Sequence, residues 1–156
     1  MDKSERIIDL KSEEGFLKEY VALRNRYTSL LLTKPVSVVE TKRWLERSEI
    51  EVRGIVQGSG LTGVTILYLK RKGEIAFFAK ELNQGIGTKL LRIIERVAKE
   101  KHLSSVWAWV LDNNLPAKRA FEKSGYKPDC KSRRCHEGEN RLGVIFRKQF
   151  RRTRTS

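Results

Sequence analysis

A chain of 156 residues with 39% hydrophobic and 33% charged side chains is long enough for one self-sufficient core and too apolar for a disordered tail. Its 33 Lys and Arg against 19 Asp and Glu give a formal net charge of +14 and a pI near 10.1, which favours an acidic partner such as nucleotide, nucleic acid, ribosome or acidic protein. No apolar run has the length of a bilayer span, the N-terminus lacks the apolar core of a secretion signal, and Cys130 and Cys135 are too few for a disulfide framework, so the expectation is a cytoplasmic protein with no membrane partner.

The reading is one domain over 1–150 and a short basic tail over 151–156. Residues 6–10 form a first strand. Ser12 then caps a helix with Glu13 and Glu14 in its first turn and an apolar stripe through Phe16, Leu17, Tyr20 and Val21. Pro35 ends what precedes it, and Ser37-Val38-Val39-Glu40 is a capping box that opens a short helix through Trp44 and Leu45. Residues 50–57 alternate, Gly58-Ser59-Gly60 turns, 61–69 alternate again, and Lys72-Gly73 turns into 74–79. That is a three-stranded antiparallel meander.

The stretch Glu74 to Thr88 reads as an apolar strand, a glycine-bearing turn and the first turn of an amphipathic helix over 85–101. Such a helix start leaves unpaired N–H groups beside the positive end of the dipole, a ready site for phosphate. Gly85 and Gly87 lack a Cβ, so an anion can approach the backbone. His102 reads as a helix-end cation. Residues 104–111 form the next strand, with Trp107 and Trp109 taken as core packing against a helix. Pro116 opens a helix to about Lys123 that Gly125 ends, and strands near 131–137 and 141–147 complete the chain. Cys130, Cys135 and His136 supply three possible ligands at poor spacing, with Lys131, Arg133 and Arg134 among them, so no metal is expected.

Two segments, in order, resemble the GNAT superfamily of acyl-CoA-dependent N-acyltransferases. Leu82-Asn83-Gln84-Gly85-Ile86-Gly87 after a strand is similar to the family's Arg/Gln-x-x-Gly-x-Gly/Ala pyrophosphate loop. Val110-x-x-x-Asn114-x-x-Ala117-x-x-x-Phe121-x-x-x-Gly125-Tyr126 is similar to its Asn-x-x-Ala-x-x-x-Tyr-x-x-x-Gly-Phe segment. The resemblance implies an α+β fold: a mostly antiparallel central sheet of about six to seven strands, splayed between strands four and five, flanked by about four helices. It also implies that Leu82, Asn83, Gln84, Gly85, Ile86, Gly87 and Thr88 bind the CoA pyrophosphate, and that Phe77, Phe78 and Ala79 offer a strand edge to the pantetheine. Asn114, Ala117 and Phe121 complete the CoA side.

Two positions depart from the pattern. Leu82 stands where the family has Arg or Gln, leaving Lys80, Lys89 or Arg92 to supply charge, and Phe121 stands where many members carry a tyrosine that protonates the leaving thiolate. The implied reaction is direct transfer from acetyl-CoA to a primary amine in a ternary complex, with Glu74 as the candidate general base and no assigned acid. The acceptor stays open among a protein or peptide amine, a small amine and the amino sugar of a nucleotide sugar; Leu23-Arg24-Asn25 and Trp44 faintly resemble the sugar-directed branch of the family. The alternative is a non-catalytic acyl-CoA-binding module, or one that binds nucleic acid or ribosome through its basic surface. Either a monomer or a homodimer fits.

Overall fold

The meander sets the architecture. In a computed structural model, which describes residues 5–31, 33–81 and 85–151, β2 (Ile50–Gln57), β3 (Gly60–Tyr68) and β4 (Glu74–Ala79) pair antiparallel in sequence, and β1 (Arg6–Asp9) adds outside β2. The chain then crosses over through α4 (Ile86–Glu100) and returns as β5 (Ser105–Leu111), parallel to β4. After α5 (Leu115–Lys123), the hairpin of β6 (Lys127–His136) and β7 (Glu139–Gln149) closes a seven-stranded sheet in the order β1-β2-β3-β4-β5-β7-β6. The expected splay between strands four and five is present. One rung, Glu74 opposite Trp107, joins them, and beyond it the strands part toward their C-terminal ends.

Apolar residues on both faces of β2 and β3 are buried because helices cover both faces. On one face α1 (Leu17–Arg26) and α3 (Val38–Leu45) pack Leu17, Tyr20, Leu23 and Leu45 onto Val52, Val64 and Phe78. On the other, α4 and α5 pack Leu91, Ile94, Val97 and Phe121 onto Val106, Ala108, Val110 and Phe146. The stripe of α4 that faces the sheet follows the 3.6-residue period of Leu90, Leu91, Ile94, Val97 and Ala98.

Several expectations need correction. Ser12 caps no helix: its hydroxyl donates to the Asp9 carbonyl, a 3₁₀ turn runs over Glu14–Phe16, and α1 starts only at Leu17. The expectation of about four flanking helices holds, with a short α2 (Thr28–Leu31) beside the four longer ones, its four residues too few to show a period. Trp107 and Trp109 are half-buried on the side of β5 away from α4, where their indole N–H groups donate to the carbonyls of Arg71 and Ser132. The alternation of β5 was legible; which face the helices cover was not. Most of the expected tail, residues 152–156, lies outside the described residues.

Candidate active site

The open end of the splay is the start of the site. Lys80 N–H donates to Thr62 O on β3, so the alternation of a strand turns the backbone groups of Phe77 and Ala79 toward β5, where no strand meets them. The first turn of α4 sits at the same end. Gly85 is its N-cap in the left-handed region at φ 73°, no side chain caps the turn, and no acidic residue lies in it. The Thr88 hydroxyl donates to the Gly85 carbonyl, 2.8 Å away, and so leaves the helix N–H donors untouched. The two glycines differ in purpose. A Cβ on Gly85 would point into open space, whereas one on Gly87 would meet Phe77 at 3.0 Å and Ala120 at 3.2 Å. Gly87 therefore lets α4 settle on β4 and α5, and Gly85 shapes the turn.

A cavity of about 360 Å³ opens at that turn, lined by Gly85, Ile86, Gly87 and Thr88, by Phe77, Phe78 and Ala79, and by Asn114 and Ala117. Asn114 is held rigidly, its side-chain oxygen accepting from Ala117 N–H as the N-cap of α5, while its amide nitrogen donates to none of the described residues. Tyr27 also reaches this cavity, and its hydroxyl donates to the Ala79 carbonyl at 2.6 Å. Part of the free edge of β4 is thus already engaged from within.

A second cavity, of about 440 Å³, lies deeper along the splay and shares Leu30, Leu31, Phe77, Phe78, Asn114 and Ala117 with the first. Glu74 lies on its wall at 6% exposure. One carboxylate oxygen takes Arg134 at 2.8 Å and the other Arg71 at 3.4 Å. Arg71 lies over the Tyr68 ring at 4.2 Å, and Arg134 lies over Trp109 at 5.0 Å. Desolvation pushes the Tyr68 phenol above its ordinary value against the pull of Arg71 and Arg24, and burial raises Tyr20 likewise, so both are neutral hydroxyls here.

A model of the acetyltransferase (GNAT) family matches residues 39–126, more than half of the chain. The chain belongs to the GNAT acetyltransferase family. The fold agrees. A ribosomal-protein-alanine N-acetyltransferase from Brucella melitensis superposes with a TM-score of 0.82 at 15% identity, over 93% of this chain and 99% of that one. The Salmonella typhimurium protein yncA, solved with acetyl-CoA, gives 0.82 at 13% identity over 94% of each chain. RimL, a ribosomal L7/L12 alpha-N-protein acetyltransferase in complex with coenzyme A, gives 0.75 at 11% identity over 94% of each. At such identities the likeness is one of fold. No curated protein matches the sequence.

As a GNAT domain, the chain brings together the two motifs recognised in its sequence: Gly85 to Thr88 and Asn114 with Ala117 line one cavity. Leu82, Asn83 and Gln84 lie outside the described residues. Phe121 is 2% exposed beneath the second cavity, stacked on Phe146 and edge-on to Tyr126. The Tyr126 hydroxyl does not stand in for the missing phenol, since it donates to Glu95 at 2.8 Å and burial beside that carboxylate pushes its pKa up. Of the cations expected to supply charge, Lys89 is paired with Glu5 at 3.1 Å, and neither it nor Lys80 or Arg92 lines the cavity at the start of α4. Arg119 and Lys123 line it instead. Their spacing with Pro116 and Ala120 marks one face of α5, a signal the sequence carried. Cys135 and His136 are consecutive on β6 and so face opposite sides of the strand, and both cysteines are free and exposed.

Proposed function

We propose that this chain is an N-acetyltransferase that moves the acetyl group of acetyl-CoA to a primary amine held in the same complex. The observation that carries the reading is the pair of cavities meeting at the splay, one at an uncapped helix start and one at a buried glutamate. The backbone donors of Ile86, Gly87 and Thr88 suit a pyrophosphate, with Arg119 and Lys123 beside them. The pantetheine amides pair with the free edge of β4 as a strand would. That leaves the thioester at the shared wall of Phe77, Phe78 and Asn114, within reach of an acceptor from the deeper cavity.

The amine nitrogen attacks the thioester carbonyl, the C–N bond forms, the C–S bond breaks, and the sulfur leaves as thiolate. An N–H of the β4 edge, at Phe77 or Ala79, donates to the developing oxyanion. A lysine-like amine gives up its proton at neutral pH at a cost of about 4–5 kcal/mol. Glu74 is the base we assign for that proton, which reaches it through a water because each of its oxygens holds an arginine, and the second nitrogen proton passes to solvent as the tetrahedral intermediate collapses to the amide. With Phe121 at the tyrosine position, the thiolate leaves unprotonated, which a thiol reference pKa near 8.5 permits. Relatives named for ribosomal-protein N-acetylation support a primary amine as acceptor but not its kind.

Calorimetry with acetyl-CoA, followed by thiol release with a panel of primary amines, tests this. Binding with amine-dependent release is the expected result; absence of binding overturns it. Glu74→Gln lowers kcat by about a hundredfold or more, in the range typical of lost general-base catalysis, and leaves CoA affinity nearly unchanged. A pH–rate profile identical to the wild type removes Glu74 as the base.

A further inference from the structure

The deeper cavity has a second polar pole besides Glu74, made by α1 and the segment after α2. Arg24 is half-buried there, donates to the Lys34 carbonyl at 3.0 Å, and has no acidic partner among the described residues. One helical turn earlier, Tyr20 is 1% exposed, and its hydroxyl has no hydrogen-bond partner among the described residues. The Arg24 guanidinium lies close enough to pull on that phenol without making a well-formed bond to it. The Thr33 hydroxyl, beside the carbonyl that Arg24 holds, is buried and equally unpartnered. Three polar side chains converge on one wall: the two hydroxyls have no partner among the described residues, and the guanidinium has one carbonyl for its five donors.

The charges around this wall decide its complement. Three arginines, Arg24, Arg71 and Arg134, face two carboxylates here, Glu74, which pairs with Arg71 and Arg134, and Glu40, which caps α3, so the wall carries an excess of positive charge and Arg24 is the arginine with no acid beside it among the described residues. A neutral phenol and a guanidinium are donors, and Trp44 stacks on the Tyr20 ring behind them at 6.2 Å. Buried donors of this kind are matched by an oxyanion, which a guanidinium takes in bidentate fashion. A polycationic acceptor would face three arginines.

We infer that the acceptor is a small amine carrying an oxyanion, a carboxylate or a phosphate, which Arg24, Tyr20 and Thr33 bind while its amine lies toward Glu74. The inference rests on the acetyltransferase reading and names its substrate class. It makes Arg24 and Tyr20 specificity-determining residues of the deeper cavity. Asn25 supports them indirectly, since its side chain bridges the N–H and carbonyl of Val36 and so fixes the segment that carries Thr33.

The test has two parts, on full-length protein saturated with CoA so that the helix start of α4 is not the site read. First, inorganic phosphate and succinate are titrated separately while the fluorescence of Trp44 and Trp109 is followed. A saturable change with one or both is expected, and its loss by tenfold or more in affinity in Arg24→Gln. The preferred anion tells phosphate from carboxylate. No saturable change, or an equal one in the variant, overturns the inference. Second, matched acceptors are compared by thiol release: an α-amino acid against its amide, and a phosphorylated amino sugar against the free sugar. One charged partner is expected to show a KM at least tenfold lower, a gap that closes in Tyr20→Phe and Arg24→Gln through KM and not through kcat. Tyr20→Phe removes an unsatisfied hydroxyl and keeps the ring packing, so it folds even where Arg24→Gln does not. Equal kcat/KM within both pairs, or a peptide N-terminus preferred over either charged amine, overturns the inference while the acetyltransferase reading stands. Failure to bind acetyl-CoA at all would strike that reading instead.

Discussion

Two helix starts in this molecule solve the same problem in opposite ways. At α3, Ser37 accepts from the Glu40 N–H and Glu40 accepts from the Ser37 N–H, each at 3.1 Å, so the helix satisfies its own donors and puts a carboxylate against its dipole. At α4 the N-cap is a glycine, the first turn has no acid, and the one hydroxyl present turns to a carbonyl. The sealed end contributes to stability. The open end withholds that contribution and keeps its donors for an anion. An uncapped helix start at a cavity is therefore informative in itself, because α3 shows what this sequence does where no ligand is wanted.

Exchanging the two solutions is the strongest way to break that contrast. Thr88→Glu places a carboxylate in the first turn of α4, as Glu40 does in α3. Titration calorimetry then shows CoA affinity falling by tenfold or more, while thermal unfolding shows stability unchanged or raised by about 0.3–1 kcal/mol through the dipole. Loss of stability together with affinity would mean the turn is structural only. The converse change, Ser37→Ala, costs about 1 kcal/mol in denaturant unfolding and leaves CoA affinity where it was. A shift in CoA affinity there would couple two helix starts that the structure holds apart.

The smallest effect concerns the approach to the other capped helix, α5. Just before α5, Asp112 holds Lys118 at 3.0 Å, and that hydrogen bond and charge keep the Asp112 carboxyl below its usual value. A folded-state pKa below the unfolded one adds stability above about pH 4, lost as the pH falls through the folded value. Asp112→Asn is therefore slightly less stable than wild type at neutral pH, and the difference in melting temperature closes on acidification. A gap that stays constant between pH 7 and pH 3 would show that the pair contributes nothing through charge.

The two cavities were unequally legible. The cavity we assign to CoA is written in short segments, 74–79, 85–88 and 114–121, because it depends on backbone geometry that a glycine, an N-cap and a helix period announce locally. The acceptor side is assembled across the chain: Glu74 meets an arginine sixty residues further on, supplied by β6, and faces another from α1. No spacing rule predicts that meeting, since it depends on β7 inserting between β5 and β6 so that β6 reaches back toward the splay from the far side of β7. Trp109 illustrates the same limit. Its partner is Arg134 and not a helix, which follows from the side of the sheet that α4 occupies. The function of Tyr20 was hidden differently: it lies on the apolar stripe of α1 and its ring packs in the core, while only its oxygen belongs to the site.

The lone Glu74–Trp107 rung has a consequence of shape. Sheets ordinarily expose edges only at their rims, where any passing strand can add. Here parting β4 from β5 creates two more edges in the interior, walled by Leu30, Leu31 and Ala117. A ligand that enters the cavities therefore meets the hydrogen-bonding edge of a strand from inside the sheet. The fold offers strand-type donors and acceptors without lengthening the rims at which another chain could add.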